Sequence, residues 1–466
     1  MPATKPPCPP TGVNRTKTSA SPEKPAVPAK SDGVAACSRR RFLGTAAAAF
    51  AAAAFPDLIP ARALGREGGV PAASNRIALG LVGTSQGWVN AERLLPFPDV
   101  VLTAICDTDS TRMARAVTRA NEHYKGATAR PWKDFREMFA SARLDAVVLA
   151  APDHWHGVMG VAAVRAGLDV FGEKPLAHTL AEGRAVCEAV RTHGRVWQTG
   201  SWQRSVPIFH RAAELIRGGA LGTISHVECG TLGGAPAPAP TPENLGKPPA
   251  HLDYEMWVGP AQWTDYDPRV THLRWRYVSN YGGGRLIDFV GHHVDIALWA
   301  LGLDHTGPVR MRGNGDFATT PPYDIETRYE YECEFANGLR LLASSEFQQG
   351  AKFYGDRGWL LIGRGRGING AAFLRASDPR LLEEAVPDSL PRRDNHWRDF
   401  VDCVKSRSTP IAHAEAGHRS ASIGHLAHIA IQTGREIRWD PVSENILDDP
   451  SASALLRPVF RGQWGI

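Results

Sequence analysis

From Asn75 onward the chain alternates short apolar runs with stretches of helical period. Residues 76–82, 100–106, 144–150 and 169–171 are runs of buried-strand type, too uniformly apolar for half-solvated strands. A helical stretch follows the third run and ends near Gly167, where a missing Cβ suits a C-cap. Another spans residues 180–193 and stops at Gly194. Strand, helix, strand, helix over this span predicts an α/β fold with a doubly wound parallel sheet. The second half reads differently. Thr327, Tyr329, Tyr331, Cys333 and Phe335 alternate with Arg328, Glu330, Glu332 and Glu334, and Asn337-Gly338 turns the chain into a second apolar run. This predicts a hairpin with one apolar and one charged face. Trp397, Phe400, Val401 and Val404 recur at helical spacing, and a further helix reaches Gly434.

Composition sharpens the picture at the N-terminus. The 466 residues are 43% hydrophobic and 22% charged, which excludes a disordered chain, a collagen-like repeat and a disulfide-dense mini-protein. The formal charge of +5 hints at a polyanion partner. Yet residues 1–63 hold nine Lys/Arg against three acids, leaving 44 basic against 45 acidic residues in the remainder. No case for nucleic-acid binding survives. The excess belongs to a leader: Arg39-Arg40-Arg41-Phe42-Leu43, an Ala-rich run ending at Pro56, then Ala61-Arg62-Ala63. Charged, apolar and small residues in that order predict a secretory signal, and the paired arginines before Phe-Leu point to the twin-arginine route for folded cargo. The run is too short to span a membrane. The expected organisation is therefore signal peptide 1–63, linker 64–75, nucleotide-binding domain 76–197 and a second α/β domain 198–466. The expected location is periplasmic or otherwise extracytoplasmic, with the twin-arginine machinery as a partner. Beyond the leader, five Cys at wide spacings read as single buried thiols.

The chemistry lies at the strand ends. Gly83-Thr84-Ser85-Gln86-Gly87 follows the first run, and Asp107 ends the second, 24 positions after Gly83. A dinucleotide needs a tight turn, close backbone approach to the pyrophosphate and an acid for the ribose hydroxyls. Ser85 stands where the middle glycine of that pattern falls and restricts the approach slightly. Pro152-Asp153-His154-Trp155-His156 follows the third run and Glu173-Lys174-Pro175 the fourth, on the sheet rim where such folds bind ligands. Lys174 there can stabilise an oxygen gaining negative charge. Asp288 and His292 are four apart, so on a helix they share a face, and a carboxylate that orients an imidazole makes a general base. The His154/His156 and Asp288/His292/His293 sets also offer metal ligands, but nothing in their spacing brings them around one ion, and no metal is expected.

Taken together, the Gly83 turn, Asp107, P-D-H-W-H at 152–156, E-K-P at 173–175 and D-x-x-x-H at 288–292 resemble the Gfo/Idh/MocA oxidoreductase family, named for glucose-fructose oxidoreductase and inositol dehydrogenase. W-Q-R-S at 202–205, His292-His293 and D-N-H-W-R-D-F at 394–400 resemble an exported bacterial branch of it. The resemblance implies a Rossmann domain followed by an α/β domain with a large, open, mostly antiparallel sheet, and a homo-oligomer, dimer or tetramer, formed through that sheet. It implies that Gly83, Ser85, Gln86 and Gly87 face the pyrophosphate, that Asp107 binds the adenosine ribose and favours NAD over NADP, and that Ala151, Pro152, His156, Glu173 and Gln203 line the nicotinamide side. It makes Lys174, Asp288 and His292 the catalytic trio. His292 takes the hydroxyl proton as hydride leaves for the nicotinamide, Lys174 holds the oxygen, and Asp288 tunes His292. Val290 departs from the family, which usually has Gly there.

Trp88, Trp155, Trp202 and Trp275 fall near the expected site loops, and aromatic faces stack on sugar rings. With Lys174, Trp202, Arg204, Arg274, Tyr277 and His293 they point to a carbohydrate substrate, and Arg276 is a further candidate for hydroxyls. The Pro-rich stretch 233–252 reads as a lid, an arm to a neighbour or a plain loop. The leading expectation is an exported NAD-dependent oxidoreductase of a sugar, polyol or glycoside hydroxyl, carrying its cofactor tightly bound. The alternative is a glycosidase of the α-N-acetylgalactosaminidase-like kind, which oxidises the sugar transiently and leaves no net NADH. A non-catalytic sugar sensor is the third reading.

Overall fold

The computed structural model describes residues 71–236, 240, 242–365 and 370–466, so the leader and its signal lie outside the described residues. The first half contains β1 (Ile77–Val82), α1 (Gln86–Leu94), β2 (Val100–Cys106), α2 (Ser110–Tyr124), β3 (Arg130–Trp132), α3 (Phe135–Ser141), β4 (Ala146–Leu149), α4 (Asp153–Arg165), β5 (Asp169–Gly172), α5 (Leu180–His193) and β6 (Trp197–Thr199). The six strands pair in parallel in the order β3-β2-β1-β4-β5-β6. The apolar runs are the central strands, buried on both faces; all four residues of β4 and all four of β5 are buried. Helix ends follow local chemistry. Asp109 accepts from the amides of Thr111 and Arg112 at the start of α2, Thr179 caps α5, and Gly194 closes α5 in the left-handed conformation at φ 59°. β3 and β6, three residues each, are too short to show a period.

The second half opens with α6 (Pro207–Arg217), β7 (Ile224–Gly230), α7 (Tyr254–Val258), α8 (Gly284–Phe289), a π-helical turn (Val290–Val294) and α9 (Asp295–Leu301). It continues with β8 (Arg310–Phe317), β9 (Glu326–Glu334), β10 (Arg340–Ser344), β11 (Gly350–Gly355), β12 (Gly358–Arg364), β13 (Ala372–Ala376), α10 (Arg380–Glu383), α11 (His396–Ser406), α12 (Ala414–Thr433), β14 (Ile437–Asp440), β15 (Asn445–Leu447) and α13 (Pro450–Ala454). Nine strands form one sheet, β13-β12-β11-β7-β10-β9-β8-β14-β15, antiparallel except where β10 meets β7. The expected hairpin is β9–β10, turning at Gly338 with φ 82°. Its apolar residues Tyr329, Tyr331, Cys333 and Leu341 pack under α9 and α12, while Glu332 on the other face pairs with Arg312 and Arg340 at 2.9 and 2.7 Å.

The chain then returns to the first sheet. Phe400, Val401, Cys403 and Val404 of α11 pack into the core of β1, β2 and α1 rather than that of the second sheet. Arg398 and Lys405 both pair with Asp99, and Arg407 pairs with Asp169 at 2.6 Å. Burial opposes ionisation of Asp99, but these cations hold its pKa down at about 2. The C-terminal tail does the same on another flank, where Trp464 packs edge-on against Trp155 with ring centres 4.8 Å apart. The five described cysteines are free and buried, as their spacing predicts.

Candidate active site

A cleft of about 1130 Å³ opens at the carboxyl ends of β1 and β4, where the strand order reverses, and extends to the π-helical turn. One end is built for a dinucleotide. Gly83 has φ +83°, and a Cβ there would lie 2.5 Å from the Ala150 carbonyl oxygen, so only glycine allows this turn. The Asp107 carboxylate accepts from the backbone and hydroxyl of Thr84 at 2.8 and 2.6 Å and from the Asp109 amide at 2.9 Å. It is thereby fixed at the rim beside the glycine turn. Ser85 caps α1 without a side-chain bond to the helix; its hydroxyl accepts from Arg112 at 2.6 Å instead. The start of α1, Arg112 and the tight turn at Gly83 thus line one space, which suits a pyrophosphate. Gly87 serves differently from its expected phosphate contact. It is buried, and a Cβ there would lie 2.8 Å from the Leu81 side chain and 3.1 Å from that of Ala150, so it lets α1 pack closely on the sheet.

The second half closes over this end. His251 O accepts from the Ser110 amide at 2.9 Å, the Asp253 amide donates to Thr108 O at 2.9 Å, and His272 Nε2 lies 3.2 Å from Asp109. His272 holds φ 73°, an uncommon conformation for a residue with a Cβ. The segment from Thr271 to Tyr277 then runs along the cleft and contributes His272, Arg274, Arg276 and Tyr277 to its wall.

At the other end Lys174 Nζ donates to Asp288 Oδ1. Arg285 donates to Asp288 Oδ2 at 3.1 Å, and Arg276 approaches the same carboxylate at 4.0 Å. Burial opposes ionisation of Asp288, but Lys174 and Arg276 overcome it and hold the carboxyl well below its usual range. Gly291 makes this pairing possible, because a Cβ there would lie 2.9–3.1 Å from the stem of Lys174. His292 lies in the π-helical turn, a local widening often found at functional sites. The residue is 7% exposed and its Nδ1 is buried without a hydrogen-bond partner among the described residues. Burial, with Lys174 and Arg364 nearby, pushes its pKa well below the usual histidine value, so the ring is neutral at pH 7. The expected Asp288–His292 hydrogen bond is absent among the described residues. The carboxylate oxygens accept from Lys174 and Arg285 instead, so Asp288 anchors the lysine, while its charge still acts on His292 and raises the ring's pKa against the effect of burial.

Two family models match this architecture: "oxidoreductase family, NAD-binding Rossmann fold" over residues 77–201, and "oxidoreductase family, C-terminal alpha/beta domain" over residues 242–466. The chain belongs to the Gfo/Idh/MocA oxidoreductase family. It is similar to scyllo-inositol 2-dehydrogenase (NAD(+)) of Bacillus subtilis, 24% identical over 66% of this chain and 81% of that one. It is also similar to a glycosyl hydrolase family 109 protein of Stenotrophomonas maltophilia, 26% identical over 51% of each chain. Among solved structures, GenD2 from gentamicin A biosynthesis, in complex with NAD, shares the fold at a TM-score of 0.56 and 21% identity, covering 78% of this chain and 97% of that one.

Within this Gfo/Idh/MocA framework most of the expected residues converge. Gly83, Ser85, Gln86, Asp107, Ala151, Pro152, His156, Glu173, Lys174, Trp202, Arg274, Tyr277, Asp288 and His292 all line the one cleft. The His156 ring nitrogens face the carbonyls of Pro175 at 2.7 Å and Ala151 at 2.9 Å, tying two site loops together. Glu173 accepts from Asn90 at 2.8 Å, and Asn90 in turn accepts from Trp397 on α11 at 3.0 Å.

Besides Gly87, three expected residues do not reach the cleft. The turn Trp202–Ser205 sends Trp202 to the cleft wall but turns Gln203, Arg204 and Ser205 inward. Gln203 is 1% exposed and its amide has no hydrogen-bond partner in the described residues. Arg204 is spent on Asp295 and Asp304, with bonds of 2.8–2.9 Å to both. His293 is fully buried, its Nδ1 2.6 Å from the Gly230 carbonyl. Of the tryptophans, Trp88 packs into the first core, and Trp155, though at the cleft floor, is a core residue at 1% exposure. No cluster that could hold a metal ion occurs among the described residues. Residues not assigned from sequence also face the cleft: Arg112, Asp153, Arg285 and Arg364. Burial pushes the Asp153 pKa up to about 6. No local pattern marks Arg364, which sits at the end of β12 and joins the site only through tertiary folding.

Proposed function

We propose that this NAD-binding oxidoreductase acts on a hydroxyl of a sugar, polyol or glycoside. The observation that carries the reading is the convergence of an anchored lysine and a neutral buried histidine in the cleft that holds the glycine turn and Asp107. Gly83, Ser85, Gln86 and Asp107 would hold the adenosine and pyrophosphate part of NAD; Ala151, Pro152, His156 and Glu173 would line the nicotinamide. When bound, NAD supplies the hydride-accepting centre. Neutral His292 accepts the hydroxyl proton. Lys174, held by Asp288, donates to the same oxygen as negative charge develops on it. Tyr277, Trp202 and Arg274 shape the sugar side.

Lys174→Met and His292→Asn should each lower the rate of NAD reduction by about 10²–10⁴-fold, while NAD still raises the melting temperature. Wild-type rates in both variants, against any substrate the enzyme turns over, would refute these roles. The similarity to a family 109 glycosyl hydrolase favours a second reading, a glycosidase with transient sugar oxidation. Free aglycone with no net reduced cofactor from an aryl glycoside supports it; a keto product supports the first.

We also propose that the basic leader directs export of the folded chain, and that the crossing at Asp109 retains the nucleotide where none is supplied. Fractionation and the mass of the exported chain test the first point. Mass spectrometry of small molecules released on denaturation tests the second. A dimer or tetramer remains the expected assembly.

A further inference from the structure

The carboxylates that line the cleft are those of Asp107, Asp153, Glu173 and Asp288. Three of them are held by the protein. Asp107 accepts from Thr84 and Asp109, Glu173 from Asn90, and Asp288 from Lys174 and Arg285. The carboxylate of Asp153 accepts from no side chain or amide among the described residues, although it is 6% exposed and borders the open space of the cleft. A buried carboxylate without a donor is costly to hold. Burial pushes its pKa up to about 6 against the pull of His156, Arg276 and Lys174, which also places the group at the reaction end.

Helix formation alone does not account for this residue. Asp153 opens α4, and an acid in the first turn complements the helix dipole. That service needs no burial, since the exposed Glu137 performs it for α3. Nor is a protein donor waiting nearby. The His156 ring nitrogens face the carbonyls of Pro175 and Ala151, Lys174 donates to Asp288, and Arg276 donates to the Leu273 carbonyl at 3.2 Å. In charge, Lys174, Arg276 and Arg285 already stand against Asp153, Glu173 and Asp288. The donor that completes Asp153 is therefore a neutral one. A hydroxyl supplies it, because it gives one proton to a carboxylate in a strong, charge-assisted hydrogen bond.

We propose that Asp153 is a substrate-binding residue that accepts a hydrogen bond from a second hydroxyl of the sugar or polyol, while the hydroxyl to be oxidised faces Lys174 and His292. Asp153 thereby selects substrates with a free donor at that second position and rejects those deoxygenated or fluorinated there. This names a specificity determinant for the oxidoreductase proposed above and rests on that reading.

The test uses the NAD-loaded full chain with D-glucose, D-galactose and myo-inositol. The sugar turned over fastest is then compared with its deoxy and deoxyfluoro analogues at each hydroxyl other than the one oxidised. Fluorine fills the space of a hydroxyl but donates no proton, so it isolates the donor. Quenching of tryptophan fluorescence reads binding beside turnover, since Trp202 and Trp275 line the cleft. At one position the deoxyfluoro and deoxy analogues should both lose about tenfold or more in kcat/KM, chiefly through KM. In Asp153→Ala the parent sugar and that analogue should be used equally. Asp153→Asn, which keeps an acceptor oxygen, should recover part of the discrimination and serves where the alanine variant does not fold. Without sugar, Asp153→Asn should melt no lower than the wild type, whereas loss of a structural carboxylate lowers the melting temperature. Wild-type enzyme indifferent to every analogue, unchanged discrimination in Asp153→Ala, or a lower melting temperature with unchanged KM in Asp153→Asn overturns the inference and leaves the oxidoreductase reading standing. Failure to bind NAD, or to bind or oxidise any of the sugars, counts against that reading instead.

Discussion

Arg204 and Arg276 are the same side chain in opposite roles. Arg204 is 1% exposed and its charge is consumed by Asp295 and Asp304, whereas Arg276 faces the cleft beside a carboxylate that it shares. In sequence the two look alike, since each follows a tryptophan in a loop near the site. The partners of Arg204 lie 91 and 100 residues away, beyond the reach of local pattern. Removing Arg204 leaves the buried Asp295 facing the part-buried Asp304 without a shared cation. Arg204→Ala should cost about 3–5 kcal/mol, seen as a fall in the urea midpoint. The KM of enzyme that remains folded should hardly change, because the side chain does not touch the cleft. A large KM effect with unchanged stability would return Arg204 to the substrate site.

At the scale of elements, the strand ends were the readable part of the site. The turn at Gly83, Asp107 at the end of β2 and Lys174 after β5 lie where a doubly wound sheet must present them, so period and position sufficed. The helix carrying Asp288 and His292 was harder. Their spacing is that of neighbours on an α-helix, but the turn from Val290 to Val294 is π-helical, and Asp288 is drawn away by Lys174 from another domain. What the spacing could not show is that Gly291 is the contact point. Gly291→Ala places a methyl group 2.9 Å from Lys174 Cβ, against a stem already packed on the helix. It should lower kcat by about tenfold or more through misplacement of the ammonium group, while the NAD-induced rise in melting temperature stays. Loss of NAD binding instead would mean that the turn supports the nucleotide.

At the scale of the whole molecule, the two halves are stitched together among the described residues: α11, from the second half, lies in one core of the first, and the C-terminal tail packs against another. The amphipathic pattern of α11 announced a helix but not which sheet it covers, because both cores are apolar. The buried histidines predict how this unit responds to acid. Burial pushes His154 and His425 down to about 3, and His178, His293 and His396 to about 4. An unfolded chain takes up these protons near pH 6.5. Below that pH the unfolded state binds more protons, so stability falls as pH drops from 6.5 toward 4. Burial raises Asp153 to about 6 and Glu182 to about 7, which acts in the opposite direction between pH 4.5 and 7, as do the raised Glu214, Asp295 and His428, but His272, His292, His413 and His418 are pushed down with the five histidines and outnumber them. The melting temperature should therefore drop steeply between pH 6.5 and 4.5; a flat profile would mean that these histidines are protonated in the folded state. The crossing of residues 251–253 and His272 onto the Asp109 loop has a different consequence, one of electron accounting. If the nucleotide is retained beneath it, as proposed above, it would not exchange with a pool, and each pair of electrons taken from one substrate would stay on the protein until a second molecule accepts it. Such a catalyst would yield one oxidised and one reduced product per cycle, and its reaction would be driven by the difference between the two reduction potentials rather than by the redox state of any cell.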